Sequence, residues 1–291
     1  MTYRDVIWRA SQSFTSSETP FLDAVLLLAE SLGKPKERIL AMLPEHVDHI
    51  PEAFDRMVAR RQRGESIAHI VGHKEFYGRV FQVSKDVLSP RHDTETLVDA
   101  VLEKGDELVR AMMKDIPSDP RKSLPIRVLD LCTGSGVVGI SIAGERPEWK
   151  VVASDISRSA LDIAKKNALR LLPTEKVTFI ESDLFSCIED DFDIIAANPP
   201  YVRHYHVDAV IAEGWTDPRE SLDGGEDGMD FIREIISQST AYLSQHGVLL
   251  LEIDPLQADV STALLQKSGF RCIETWNDLA GRVRVVGATH G

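Results

Sequence analysis

From Ile126 to the carboxyl end, short apolar runs alternate with stretches of helical periodicity, and this alternation restricts the fold more than any other feature of the chain. Residues 127–131, 151–155, 177–180, 192–197 and 248–253 read as buried strands, rich in Val, Ile, Leu and Ala. Between them, residues 157–172, 228–242 and 256–267 carry apolar side chains at helical spacing. Strands joined through helices run parallel, with right-handed crossovers and helices covering the sheet. An α/β fold with a mostly parallel sheet is therefore expected, extended by two last strand candidates at 270–275 and 282–287. Such sheets bind ligands beyond the carboxyl ends of their strands.

The first 64 residues show helical periodicity only. Thr19-Pro20 offers a cap with proline at the first helical position, and apolar residues from Phe21 to Ala29 recur at helical spacing as far as Gly33. A second helix is expected between Pro51 and Gly64. Arg56, Arg60, Arg61 and Arg63 gather late in it, where the helix dipole favours positive charge. A solvated face is the expected role, with a partner contact as the alternative. The period changes at His73, where Phe76, Val80, Phe81 and Val83 surround Gly78-Arg79 as in a hairpin. Asp93 or Thr94 is placed to cap the next helix, through Leu97, Val101 and Leu108. The polar, proline-containing stretch 115–125 reads as a loop.

With 291 residues and 43% apolar content, the chain can bury one large core or two smaller ones. A net charge of −13 opposes binding to nucleic acid phosphates, so no direct nucleic acid contact is expected. Cys132, Cys187 and Cys272 form no CxxC pair, and a reduced, cytoplasmic protein without disulfides or zinc is expected. His204 and His206 stand two apart in a polar loop without a third ligand, so no metal is expected. No apolar run approaches a membrane span, and no signal-peptide core opens the chain. A monomer without membrane contacts is the expectation.

Three strand ends carry candidate chemistry. The first runs into Cys132-Thr133-Gly134-Ser135-Gly136, whose glycines let the backbone approach a ligand lying over a helix N-terminus. Asp155 stands 21 residues past Gly134 at the end of the second strand, where an acid accepts hydrogen bonds from the ribose hydroxyls of an adenosine cofactor. It could instead cap the following helix, and both roles are compatible. Asp183-Leu184 follows the third strand, with the aspartate in reach of an adenine amino group and the leucine beside the ring. The fourth strand stops at Asn198-Pro199-Pro200-Tyr201, because proline lacks an N–H and restricts the residue before it. Dinucleotide dehydrogenases share the glycine loop but have no use for this corner, so the combination points to S-adenosylmethionine. At the corner, the Asn198 amide oxygen and the Pro199 carbonyl can each accept one N–H of a planar nitrogen, and Tyr201 offers a face for packing. The Asn198 NH₂ must then point to a fixed acceptor within the protein. Methyl transfer to a weakly nucleophilic nitrogen gains most from orientation, so no general base or metal is needed.

With these residues placed, the chain resembles the protein-(glutamine-N5) methyltransferases that modify the glutamine of the Gly-Gly-Gln loop in peptide-chain release factors. The resemblance rests on Thr19-Pro20, Leu22-Asp23-Ala24, Glu75-Phe76-Tyr77-Gly78, Pro90-Arg91, Thr94-Glu95, residues 130–136, Asp155, and Asn198 to Tyr201. Asp217-Pro218-Arg219, Asp227-Gly228 and Asp278 to Arg282 extend it over nearly the whole chain. It implies a class I (Rossmann-like) S-adenosylmethionine-dependent methyltransferase domain at 91–291, a hairpin hinge at 65–90 and a helical domain at 1–64 that docks the release factor. Carried over by position, Cys132 to Gly136, Asp155, Asp183, Leu184 and Asn198 hold the cofactor. Asn198, Pro199, Pro200 and Tyr201 form the catalytic corner, and Arg91, Thr94 and Glu95 shape the cofactor's methionine end.

The family usually has glycine at Cys132 and Asp254, isoleucine at Ser89, proline at Ser66 and tyrosine at His69. Two other readings compete. An N6-adenine methyltransferase acting on DNA or RNA shares the Asn-Pro-Pro-Tyr corner, but the acidic balance and the lack of a basic, aromatic-interleaved segment oppose it. A non-catalytic adenosine-binding module would have no use for a nitrogen-orienting corner.

Overall fold

In the computed structural model, residues 1–113, 125–212 and 215–291 are described, so the loop expected at 115–125 lies almost wholly outside the described residues. The chain divides into one unit of residues 1–73 with 208–217, and another of residues 74–207 with 218–291.

The first unit is helical. It contains α1 (Tyr3–Ser11), α2 (Pro20–Leu32), α3 (Lys36–Ala41), α4 (Glu52–Gln62) and α5 (Ile67–Val71). Thr2 and Asp5 form a reciprocal capping box at the start of α1. Pro20 opens α2, and Gly33 ends it with φ +60°, a left-handed conformation that glycine adopts without a Cβ clash. Ile7, Leu27, Leu28 and Ile39 are fully buried in its core, with Phe54 beside them. The arginine-rich end of α4 departs from the expected solvated face. Arg61 donates to Asp23 Oδ2 at 2.8 Å, and Arg60 pairs with Glu65 and donates to the Ile70 carbonyl at 3.1 Å. A helix end followed by a tight return brings carbonyls and an acid within reach, so two of the four arginines fasten the unit internally. Segment 208–217 joins this unit through buried His69, whose Nδ1 lies 3.0 Å from Thr216 Oγ1 and whose Nε2 lies 3.8 Å from Asp217 Oδ1.

The second unit begins with the hairpin β1 (His73–Phe76) and β2 (Arg79–Gln82), turning at Tyr77 and Gly78, both at positive φ. There follow α6 (Glu95–Met113), β3 (Arg127–Leu131), α7 (Val137–Glu145), β4 (Lys150–Asp155), α8 (Arg158–Leu171), β5 (Val177–Glu181) and β6 (Phe192–Ala197). Then come α9 (His204–Ala212), which from Asp208 onward belongs to the first unit, and α10 (Asp230–Ser239), β7 (Leu243–Glu252), α11 (Ala258–Lys267), β8 (Arg271–Asn277) and β9 (Val283–Thr289). Helix α9 lies in a stretch expected to be loop; its run of His, Tyr and Asp hides the period. The sheet order is β5-β4-β3-β6-β7-β9-β8, parallel from β5 through β7 and antiparallel at β9 and β8. Phe76 and Phe81 of the hairpin are fully buried in the core on one face of this sheet. Leu129, Ile195, Leu249 and Ile232 belong to the core on the other. Both faces are covered, which is why the central strands are continuously apolar.

Register decides where the strand ends fall. Leu131 pairs with Ser154 on one side and Ala197 on the other, and Ala197 pairs with Leu251. Asp155, Cys132, Asn198 and Glu252 therefore leave four neighbouring strands in step, along about 14 Å of one sheet edge at the usual strand spacing. The strand order reverses between β3 and β6, the position where such sheets open a crevice.

Candidate active site

The loop after β3 is shaped by left-handed backbone. Cys132, Gly134 and Gly136 have φ of +56°, +56° and +84°. A Cβ at Gly136 would fall 2.6 Å from Ile140 Cδ1, so this position needs glycine for space as well as conformation. A Cβ at Gly134 would meet no protein atom within 4 Å, which leaves the loop open on its outer side. Cys132 holds this left-handed conformation as a non-glycine residue. Leu184, at the end of the next strand connection, is also left-handed with φ +44°. Strained backbone at two turns on one sheet edge is the pattern functional loops show. Burial pushes the Cys132 thiol up, with Asp155, Asp130 and Asp183 adding to the effect, which favours its protonated form.

Two carboxylates organise this loop. Asp130, buried in β3, accepts from Thr133 Oγ1 at 2.6 Å and from Gly139 N at 2.8 Å, and so ties the loop to the first turn of α7. Burial nevertheless raises its pKa to about 7. Asp155 accepts Gly134 N on Oδ2 at 2.8 Å and Ser157 N on Oδ1 at 2.9 Å. Each oxygen keeps a lone pair for a ribose hydroxyl. The helix-start role and the ligand role of Asp155 thus coexist, while Ser157 caps α8 through Ala160 N. Asp183 is exposed and Leu184 buried on the same edge. Ile156 lies outside the expected set: an apolar side chain 64% exposed directly after the ribose acid. Its cue is an isoleucine following a strand-end aspartate. Asn167 of α8, fully buried, is a second residue that sequence reasoning misses. Its amide donates to Ser135 O at 2.9 Å and Gln82 O at 3.0 Å and accepts Gln82 N at 2.7 Å, joining the glycine loop to the hairpin. These features fit an adenosine cofactor: left-handed turns open on one side, a ribose-ready carboxylate and an exposed apolar face.

On the strand next to the glycine loop, the corner is held from several directions. Gln257 Nε2 donates to Tyr201 O and to Gly228 O, both at 3.0 Å. A Cβ on Gly228 would lie 2.3 Å from Tyr201 O, and one on Gly224 would lie 2.7 Å from Pro200 O, so the loop 224–228 closes against the corner only because both are glycine. Asn198 Nδ2 donates to Thr94 Oγ1 at 3.2 Å, which supplies the fixed acceptor that the amide needs and leaves Oδ1 as its acceptor group. Tyr201 OH donates to Glu252 Oε1 at 3.2 Å. Glu252, fully buried at the end of β7, has its pKa raised to about 7 by desolvation, against the pull of Thr94, Arg284 and Tyr201. Arg284 is itself held by Asp278 and Asp93 at 3.1 and 3.0 Å. Asp93 and Thr94, expected as helix caps, are thus committed to Arg284 and Asn198. Glu95 accepts Tyr77 N at 3.0 Å and so holds the hairpin turn. Glu252 and Arg284 give no sequence signal, because each lies inside an apolar strand with no local motif around it.

Residues 102–217 match the Methyltransferase small domain model, and residues 5–72 match the PrmC N-terminal domain. The catalytic domain of hMettl16 in complex with an RNA hairpin has the same fold, with a TM-score of 0.55 over 80% of each chain at 12% identity. A release factor glutamine methyltransferase of Coxiella burnetii is 36% identical over 286 residues, 97% of this chain and 96% of its own. One of Rhodopirellula baltica is 36% identical over 93% of this chain and 89% of its own. The chain belongs to this family. It is a class I methyltransferase, and its cofactor is S-adenosylmethionine. The family domain at the amino end coincides with the helical unit, and no helix among the described residues is long and apolar enough to cross a membrane.

Proposed function

We propose that the chain transfers a methyl group from S-adenosylmethionine to the side-chain amide nitrogen of the glutamine in the Gly-Gly-Gln loop of peptide-chain release factors. The observation that carries this reading is the anchored Asn198 amide. With Nδ2 bound to Thr94, Oδ1 is the atom left to accept an N–H from a planar amide. Thr133 to Gly136, Asp155, Asp183 and Leu184 would hold the cofactor, with Cys132 shaping the loop and Ile156 packing on its flat group. When bound, the cofactor supplies a methyl carbon made electrophilic by its sulfonium. Asn198 Oδ1 and the Pro199 carbonyl would each take one N–H of the glutamine amide, so that its nitrogen lone pair is directed out of the amide plane. An amide nitrogen is a poor nucleophile, and such alignment is where binding groups contribute most. The proton shed after transfer leaves to water, since neither acceptor is basic enough to keep it.

The same reading assigns residues 1–64 to docking of the release factor, 65–90 to a hinge and 91–291 to the chemistry. It places the protein in the cytoplasm as a monomer that acts on protein without contacting nucleic acid. Its test is incubation with labelled S-adenosylmethionine and, separately, a release factor, a histone tail and DNA. Label on the release factor, lost when its Gly-Gly-Gln glutamine is replaced, is expected. Label on DNA alone would overturn the assignment.

A further inference from the structure

Two prolines leave the corner with few backbone donors. Pro199 and Pro200 have no N–H, so neither can be tied down as most strand ends are. Their rings set φ, and Pro200 also confines the backbone of Pro199, so the pair is stiff. A stiff dipeptide is aimed by whatever holds its two ends. Strand β6 holds the first end, and the second begins at Tyr201. There Val202 N donates to Leu222 O at 2.8 Å, and the Tyr201 carbonyl accepts from the side chain of Gln257.

Gln257 is buried in the short turn Pro255–Gln257 after β7. Its Nε2 donates to Tyr201 O and to Gly228 O, each at 3.0 Å, which uses both of its hydrogens. Its Oε1 accepts Asp254 N at 3.0 Å, and that bond fixes which way the amide faces. Turned over, the amide would set its oxygen against two carbonyls. Asp254 Oδ1 accepts Leu256 N at 2.9 Å, and Gln257 N bonds Asp254 O at 2.8 Å, so the turn is fixed by its own contacts. The two Nε2 bonds add nothing to that turn. They reach 56 and 29 residues along the chain, to the corner and to the loop at 224–228. A Cβ on Gly228 would lie 2.8 Å from Gln257 Nε2 and 2.3 Å from Tyr201 O, so the three groups meet where residue 228 has no room for a side chain. Tyr201 is also held at its far end, where its hydroxyl donates to Glu252 Oε1 at 3.2 Å.

We propose that Gln257 is a positioning residue for methyl transfer, which fixes the backbone at Tyr201 and thereby aims the Pro199 carbonyl and seats the Tyr201 ring. In this role it touches neither substrate nor cofactor. The inference rests on the function proposed above for what the corner is aimed at.

The test uses two variants. Gln257→Met keeps length and burial without the donors, and Gln257→Glu keeps the shape but sets a carboxylate against two carbonyls. Single-turnover methylation of a Gly-Gly-Gln peptide is followed on enzyme saturated with S-adenosylmethionine and peptide. The rate constant should fall about tenfold in Gln257→Met and about 100-fold in Gln257→Glu, the scale of a misaligned site. The amplitude, which counts folded enzyme, should hold, and cofactor affinity should stay within about threefold of wild type. A residue that only stabilised the fold would lower the amplitude and spare the rate constant. The rate of Gln257→Glu relative to wild type should recover in part as pH falls, because a protonated carboxyl donates one hydrogen bond. Wild-type rate constants in both variants, or losses confined to amplitude, would overturn the inference. If neither variant folds, hydrogen exchange of the Gln257 side-chain NH₂ in wild type decides. Exchange slower than that of exposed Gln266 is expected, and equal exchange would overturn the anchoring. A wild type that leaves the peptide unmethylated would overturn the functional reading and this role with it. A methylating wild type matched by both variants would overturn this role alone.

Discussion

The two ends of the sheet edge solve different problems with different materials. Around Cys132 to Gly136 and Asp155, backbone conformation and backbone N–H groups do most of the work, and the side chains come from two neighbouring strand ends. Around Asn198, the ordering elements are side chains from five separate segments: Thr94, Tyr201, Glu252, Asp278 and Arg284. The contrast follows from what the proposed function asks of each end. A cofactor with hydroxyls and a flat base is held well by a rigid loop and one acid. An amide acceptor must be turned to one angle, and fixing an angle needs a chain of bonds that determines which atom of Asn198 faces outward. Asp130 and Glu252 show the difference in miniature. Both are buried with pKa values near 7, but one bonds a loop and the other acts on side chains that meet the acceptor.

The largest effect that separates the two ends is expected for Asn198→Ala. Loss of the orienting oxygen should raise the barrier by roughly 3–4 kcal/mol, or two to three orders of magnitude in single-turnover rate on cofactor-saturated enzyme. A wild-type rate would reduce the corner to a simple turn. Next is Asp155→Ala, which removes charged acceptors for the ribose and should weaken S-adenosylmethionine binding by about 1.5–3 kcal/mol in calorimetry. Unchanged affinity in the folded variant would remove Asp155 from the cofactor end.

A smaller effect is expected at the second link of the acceptor end. Thr94→Val keeps the shape but deletes the acceptor of the Asn198 N–H, a loss of about 1–1.5 kcal/mol and roughly tenfold in rate. Cofactor affinity should hold. Comparable losses in rate and affinity would show that Thr94 serves the cofactor's methionine end instead.

The distinction between backbone-built and side-chain-built ends also explains which parts of the site are legible in the sequence. Gly134, Gly136, Asp155 and the corner Asn198 to Tyr201 lie in contiguous motifs at fixed spacing, where local chemistry dictates a turn. The mostly parallel sheet and the edge that carries the candidate site follow from the alternation of apolar runs with helical periods. The need for an acceptor behind the Asn198 NH₂ is legible as a requirement, but its identity, 104 residues away in Thr94, is not. Glu252 and Arg284 read as single charges inside apolar strands, and only register brings them beside the corner. Arg61 reads as solvated for the same reason: its partner, Asp23, 38 residues away, is set by tertiary packing, whereas the Arg60–Glu65 pair depends on the local return of the chain after the helix.

The smallest effect concerns stability. Asp130 and Glu252 keep their protons in the folded chain up to about pH 7, against ordinary values of 3.8 and 4.5. Between these limits these two groups bind more protons in the folded state than in the unfolded one. Their contribution to stability is therefore full below about pH 4 and is lost as pH rises towards 7, while Asp278, held well below the usual carboxylate range, contributes in the opposite direction. A net loss of about 1 kcal/mol would lower Tm by roughly 2–4 °C between those limits. Glu252→Gln should flatten part of that slope, whereas Asp130→Asn should also loosen the glycine loop. A pH dependence of Tm identical in wild type and in both variants would contradict the burial of these two acids.

The division of labour along the edge is tested most directly by calorimetric titration of Asn198→Ala with S-adenosylmethionine. Affinity within about threefold of wild type, under roughly 0.7 kcal/mol, is the predicted result, in a protein whose methyl transfer has nearly ceased. A loss of affinity as large as that of Asp155→Ala would show that the corner holds the cofactor, and that orientation of the acceptor is not its separate task.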